Sequence, residues 1–170
     1  MSDFLIPTRA GPTRLALYSG LAVGIAGLIN YWIFSTGAEQ WAQTLKNPSW
    51  SPPGPFIGGV WMTLFALMGL ALWMVDREGL NAHRKTARWM IMAQYGVNVA
   101  WVYFYFGLQS VSNGFYFTLL AIAVNIPTLW ASARASRRAA LILMPLTGWL
   151  IFALILSFST WQLNISGYLQ

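Results

Sequence analysis

Five uninterrupted apolar blocks constrain this chain more than any other feature. They cover residues 15–34, 56–75, 87–106, 114–133 and 139–161. A helix of about 20 residues rises about 30 Å, the thickness of a bilayer's hydrocarbon core. Hydrophobic residues make up 57% of the chain and charged residues 8%, whereas a soluble domain carries about 25% charge. So few charges do not cover a water-facing surface. The blocks are apolar on all sides rather than alternating, which speaks against a porin-like barrel. Backbone groups in lipid must pair within their own segment, and a helix does that. The prediction is an all-α fold: one domain over 1–170, an integral membrane five-transmembrane-helix bundle.

The charges sit between the blocks rather than along one face, so the net charge of +6 does not point to nucleic acid. Five crossings put nine of the ten Lys and Arg residues on one side: Arg9, Arg14, Arg77, Arg84, Lys85, Arg88, Arg134, Arg137 and Arg138. Only Lys46 lies opposite. In a bacterial plasma membrane this bias predicts a cytoplasmic N-terminus and an external C-terminus. The opening segment, with Asp3, Arg9 and two prolines, lacks a short apolar run followed by a small-residue cleavage site. The first block therefore reads as a retained span.

Residues for conventional catalysis are scarce. The four acids, Asp3, Glu39, Asp76 and Glu78, fall outside the predicted spans, and the one histidine, His83, lies in a charged connection. There is no cysteine, no carboxylate pair, no metal-ligand cluster, no nucleophile–base set and no glycine-rich nucleotide loop. A metal site is not expected. No ionisable group sits at a span's midplane, which disfavours ion-coupled transport. Neutral amides do occur in the spans. Gln94 and Asn98 are four apart, on a face continued by Trp101 and Tyr105, and Asn125 lies beside Pro127. Amides in hydrocarbon must face protein or a wet cavity, so interhelical packing and a ligand-donor face both remain open. Gly20, Gly24 and Gly27 form a small-residue stripe suited either to packing inside the bundle or to a homodimer. Pro127 and Pro145 predict kinks.

Ten tryptophans are the remaining signal. Trp32, Trp73, Trp89, Trp130 and Trp161 lie near span ends, where indoles anchor to the bilayer interface. Trp61, Trp101 and Trp149 lie deeper, where they either pack the core or line a pocket for a flat apolar ligand. Trp41 and Trp50 fall in the first connection, residues 35–55, which also holds four prolines. So long a connection between helices is unusual unless it is functional, and prolines fix its path. It is predicted to form an ordered lid, with EQWAQTL as a short helix across the mouth and Pro52-Pro53-Gly54-Pro55 launching the second span.

LKNPSWSPPGPFIGGVW over 45–61 resembles the TspO/MBR family of tryptophan-rich sensory and mitochondrial translocator proteins. So do Gln94-x3-Asn98-x2-Trp101 followed by Tyr105-Phe106-Gly107, Pro145-x3-Trp149-x2-Phe152-Ala153, and the closing TWQLN. The resemblance spans nearly the whole chain. It implies a five-helix bundle, commonly dimeric, that binds tetrapyrroles such as protoporphyrin IX or haem as ligands, with no obligatory cofactor. It also implies that Trp50, Pro52 and Pro53 shape the lid, and that Trp61, Asn98 and Trp149 line the pocket with Trp101 close by. The family's steroid-linked Tyr-then-Arg pattern is replaced by Phe158 and Gln162, which argues against cholesterol as a partner.

The resulting expectation is a membrane receptor or handler of porphyrin, acting in transport, sensing or stress regulation. One alternative is protein-assisted photo-oxidative degradation of the pigment, in which Trp61 and Trp149 would be the oxidisable, catalytic indoles. The other is a scaffold that binds membrane partners without a small-molecule role.

Overall fold

In the computed structural model, which describes residues 11–78 and 82–165, the apolar blocks are helices and no strand occurs among the described residues. The order is α1 (Pro12–Ser35), α2 (Ala38–Thr44), α3 (Gly54–Arg77), α4 (Arg84–Val102), a π-helical turn (Tyr103–Gly107), α5 (Val111–Ala135) and α6 (Arg137–Ile165). Among the described residues there are six α-helices: five long ones at the five apolar blocks, and α2, the short helix expected in the first connection. Asp3 and Arg9, which entered the charge argument, lie outside the described residues.

Four helices, α1, α3, α5 and α6, are long and apolar enough to cross a bilayer. α4 is not in that group, because Arg84, Lys85, Arg88, Gln94 and Asn98 lower its hydropathy. It packs against both α3 and α5, and its two amides are buried there.

The helix starts follow from local chemistry. Pro12 and Pro55 occupy first turns, where a missing N–H removes a group that has no helical partner anyway. Gly37, at φ 79°, takes the left-handed turn between α1 and α2. Ser110 caps α5, its Oγ accepting from the Asn113 N–H at 3.3 Å.

Packing uses small residues for close approach and aliphatics for fill. A Cβ on Gly69 of α3 would lie 2.9 Å from the Tyr18 carbonyl oxygen and 3.0 Å from the Ser19 Cα on α1, so only glycine lets these backbones meet. Met68, Val75, Ile91, Leu143, Leu146 and Leu150 form the centre among α3, α4 and α6, with alanines of α5 packed beside them. Asn125 is packing rather than ligand machinery: its Oδ1 accepts from Thr147 Oγ1 at 2.7 Å, joining α5 to α6. The glycine stripe of α1 does not pack inside the bundle. No atom would meet a Cβ at Gly20, Gly24 or Gly27, and α1 instead turns Ala22, Ala26 and Ile33 inward.

Asp76 departs from the sequence reading. Its charge marked the end of a span, yet α3 runs on to Arg77 and Asp76 is only 3% exposed. The acid is tolerated because two other helices supply partners. Tyr18 of α1 donates its hydroxyl to Oδ2 at 2.7 Å. Arg84 and Arg88 of α4 bring Nε to 3.7 and 3.4 Å from Oδ1. Nearby, Trp73 donates its indole N–H to the Gly11 carbonyl at 3.0 Å, and the Arg77 guanidinium lies 4.5 Å over the Trp73 ring. The cation-rich end of the bundle is thus clamped across α1, α3 and α4.

Removing one partner of a fully buried ion pair costs about 3–5 kcal/mol. Here the arginine side chains are 23% and 46% exposed, so Asp76→Asn is expected to destabilise by about 2 kcal/mol. Tyr18→Phe, which loses one hydrogen bond, should lose about 1 kcal/mol. Thermal unfolding in detergent measures both, and a midpoint unchanged in Asp76→Asn contradicts the clamp.

Candidate functional site

At the end of the bundle away from Asp76, the helices enclose a cavity of about 580 Å³ beneath the first connection. α1 contributes Ala26, Ile29, Asn30 and Ile33, and α3 contributes Ile57, Gly58, Trp61 and Phe65. Asn98 and Trp101 come from α4, Tyr105 and Phe106 from the π-turn, and Thr118 and Ala121 from α5. α6 adds Trp149, Phe152, Ala153 and Leu156. The roof is formed by Glu39, Asn47, Pro48, Pro52 and Pro53.

The π-turn sets one wall. Leu108 N–H bonds to the Tyr103 carbonyl and Ser110 N–H to the Tyr105 carbonyl, each at 3.0 Å and five residues apart. This wider winding, a device frequent at functional sites, brings Tyr105 and Phe106 to the cavity. Trp101 stacks on Tyr105 with centroids 4.8 Å apart. Its indole N–H lies between the Gly114 carbonyl at 2.9 Å and Thr118 Oγ1 at 3.0 Å, which fixes the ring against α5. The Tyr105 ring occupies the place a Cβ would take at Gly114.

On the facing walls, Trp61 meets Phe65 edge-on at 6.1 Å, and Phe65 meets Tyr95 at 5.2 Å. Tyr95 donates its hydroxyl to the Phe65 carbonyl at 2.7 Å. Trp149 packs on Phe152 at 5.1 Å, and its Nε1 is buried without a partner. Asn98 is 4% exposed. Its Oδ1 accepts from Gln94 Nε2 at 3.1 Å, while its own amide nitrogen has only Met68 Sδ at 3.9 Å. Gln94 is absent from the cavity lining; it orients Asn98 from behind.

The lid is tied at both ends. Trp41 of α2 docks edge-on to Tyr105 at 5.2 Å and Phe106 at 6.5 Å. Further along, the Asn164 side chain pairs with the backbone of Lys46. Its Oδ1 accepts from the Lys46 N–H at 3.1 Å and its Nδ2 donates to the Lys46 carbonyl at 2.9 Å. Thr160 Oγ1 donates to Asn47 Oδ1 at 3.1 Å. The end of α6 therefore holds a segment 118 positions away in sequence.

Of the residues expected to form the site, Pro52, Pro53, Trp61, Asn98, Trp101 and Trp149 all line the cavity. Trp50 does not. It is 48% exposed and packs edge-on against the Phe152 ring at 5.9 Å. The Pro48–Ser51 turn, closed by a 2.9 Å bond from Ser51 N–H to the Pro48 carbonyl, carries this indole away from the lining. Glu39, Asn30 and Asn47 were not anticipated as lining residues. The signal for Glu39 was available, since Glu39, Ala42 and Gln43 share one face of α2 at three- and four-residue spacing. His83 sits before α4 at the opposite end. Among the described residues no His, Cys or Met lines the cavity, and no cluster of three metal-ligating residues occurs. The arrangement suits binding a flat apolar body between aromatic faces and offers a few N–H donors. It contains no acid–base or nucleophile pair.

The sequence profile of the TspO/MBR family matches residues 18–162. Among similar proteins, the tryptophan-rich protein TspO of Chlorobaculum tepidum is 36% identical over 154 residues, 88% of this chain and 95% of that protein. The translocator protein of Ovis aries is 29% identical over 127 residues, 74% of this chain and 75% of its own. The tryptophan-rich protein TspO of Bacillus cereus is 33% identical over 130 residues, 74% of this chain and 82% of its own.

Asn164→Ala removes the paired bonds to Lys46, together worth about 1–2 kcal/mol. Hydrogen exchange over residues 45–51 is expected to speed up about tenfold while exchange in α3 and α5 stays as in the wild type. Unchanged exchange in that segment contradicts the tie.

Proposed function

The chain belongs to the TspO/MBR family, and we propose that this multi-pass membrane protein binds a tetrapyrrole, protoporphyrin IX or haem, in the cavity under the first connection. In this reading it is a receptor or handler for porphyrin transport, sensing or stress regulation. The observation that carries it is the cavity: about 580 Å³, with Trp61, Trp101 and Trp149 on three separate helices. That volume falls within the about 300–1,000 Å³ of pockets for drug-sized ligands. A macrocycle buries its faces against these indoles, and offset stacking adds to the burial. The Trp149 indole N–H and the Asn98 amide are donors in the cavity wall left short of protein partners. Among the described residues no His, Cys or Met lines the wall, and the one phenol there, Tyr105, stacks on Trp101, so in this reading recognition rests mainly on the ring's faces and edges. With the cation-rich end cytoplasmic, the cavity lies toward the external side.

Protoporphyrin IX titrated into the detergent-solubilised protein is expected to quench tryptophan fluorescence saturably. Trp61→Phe and Trp149→Phe should each weaken the dissociation constant about tenfold, equivalent to about 1.4 kcal/mol. Wild-type protein that shows no saturation would overturn the reading.

A second reading has one observation in its favour: both Trp61 and Trp149 line the cavity, within reach of a bound pigment. In protein-assisted photodegradation, light and oxygen attack the porphyrin while these indoles serve as oxidisable neighbours. Bound pigment under illumination should then bleach faster than free pigment, and the double variant Trp61→Phe/Trp149→Phe should return the rate to that of free pigment. Equal bleaching of bound and free pigment removes this reading and leaves binding intact.

A further inference from the structure

Among the described residues, Glu39 is the one charged side chain in the cavity wall. It stands in α2, over the start of α3, and a Cβ at Gly54 would collide with its carboxylate. The absence of a side chain at Gly54 is what lets Glu39 tuck under the lid. Its hydrogen-bond partner is neutral, Gln43 Nε2 at 3.3 Å. Both ion pairs found among the described residues belong to Asp76, at the far end of the bundle. The two acids are therefore treated oppositely. Asp76 is matched by two arginines, whereas Glu39 faces an aromatic chamber with no cation at ion-pair distance among the described residues. Glu39 is only partly buried, so water screens it in part, and its charge acts on a ligand chiefly by direct proximity along the lid-facing edge.

We propose that Glu39 determines specificity, so that the cavity accepts flat apolar ligands whose lid-facing edge is uncharged, cationic or rich in N–H donors. It discriminates against ligands that place a carboxylate there. This deepens the tetrapyrrole reading and rests on it for the choice of porphyrin probes. A porphyrin diacid must turn its carboxylates away from Glu39, and a ring without charged side chains escapes that restriction.

The test compares three probes by tryptophan quenching at low ionic strength: protoporphyrin IX, its dimethyl ester, and a flat acridinium cation. Each is titrated into wild type, Glu39→Gln and Glu39→Lys. The expected result is that Glu39→Gln tightens the diacid about five- to tenfold, leaves the ester within about twofold, and weakens the acridinium cation about five- to tenfold. Glu39→Lys should extend both trends. The unchanged ester doubles as evidence that the cavity is intact in the variants. If the ester saturates but Glu39→Gln moves all three probes alike, or none, the inference about Glu39 fails and the tetrapyrrole reading survives. If neither porphyrin saturates in any protein, the tetrapyrrole reading fails. The acridinium cation then decides Glu39 alone: selective loss of its binding in Glu39→Gln sustains the proposal, and unchanged or absent binding overturns it.

Discussion

Backbone amides inside hydrocarbon have no water to bond, and an unpaired one costs several kcal/mol. That constraint makes every long apolar block here a helix, and it also governs the exceptions. Where the winding changes, at Tyr103–Gly107, the i to i+5 bonds of the π-turn keep the carbonyls of Tyr103 and Tyr105 paired. Polar side chains obey the same accounting. Gln94 bonds Asn98, Thr147 bonds Asn125, and Thr128 Oγ1 lies 2.7 Å from the Val124 carbonyl. Buried polar groups in this bundle are thus joints between helices or braces along one. Among the described residues, four side-chain donors are left short: the Asn125 amide nitrogen and the Ser132 hydroxyl between helices, and the Trp149 indole N–H and Asn98 amide in the cavity wall.

The two ends of the bundle solve different problems. At the cation-rich end, glycine, alanine and medium aliphatics let helices close on one another, and Asp76 draws α1 and α4 onto α3. At the other end the helices present Trp61, Trp101, Tyr105, Phe106 and Trp149, rings too large to interdigitate fully. Each ring is pinned by another ring or by a carbonyl, so the space between them stays open. The lid closes that space by a helix docked on aromatic edges and a strand-like segment gripped by the Asn164 amide. An open, stiff chamber in an otherwise dense protein follows from ring size and from these ties together.

Sequence reasoning located much of this, for identifiable reasons. Uninterrupted apolar runs mark helices because hydrocarbon leaves few alternatives, so α1, α3, α5 and α6 were legible to within a few residues. Proline density exposed the ordered first connection, and EQWAQTL does form α2. The rule that a charge ends a span failed at Asp76, because its partners come from residues 8–12 positions later and from another helix 58 positions earlier. Trp61, Trp101 and Trp149, which lie deep in their spans, all line the cavity. The resemblance put Trp50 in the lid, and a turn of four residues there sets its ring against Phe152, outside the cavity lining. Glu39 went unnoticed because one acid in a loop looks solvated until the helix that carries it is set over Gly54.

By itself, the sequence determined the solvent this protein lives in, the number of long apolar segments, the bias of charge to one end and the presence of a stiff first connection. Each of these depends only on runs of residues near one another along the chain. The tertiary structure alone decided which indoles face inward, which acid is neutralised and which is not, and what holds the lid shut. Those outcomes depend on side chains from different helices meeting at distances of a few ångströms, which no local pattern encodes.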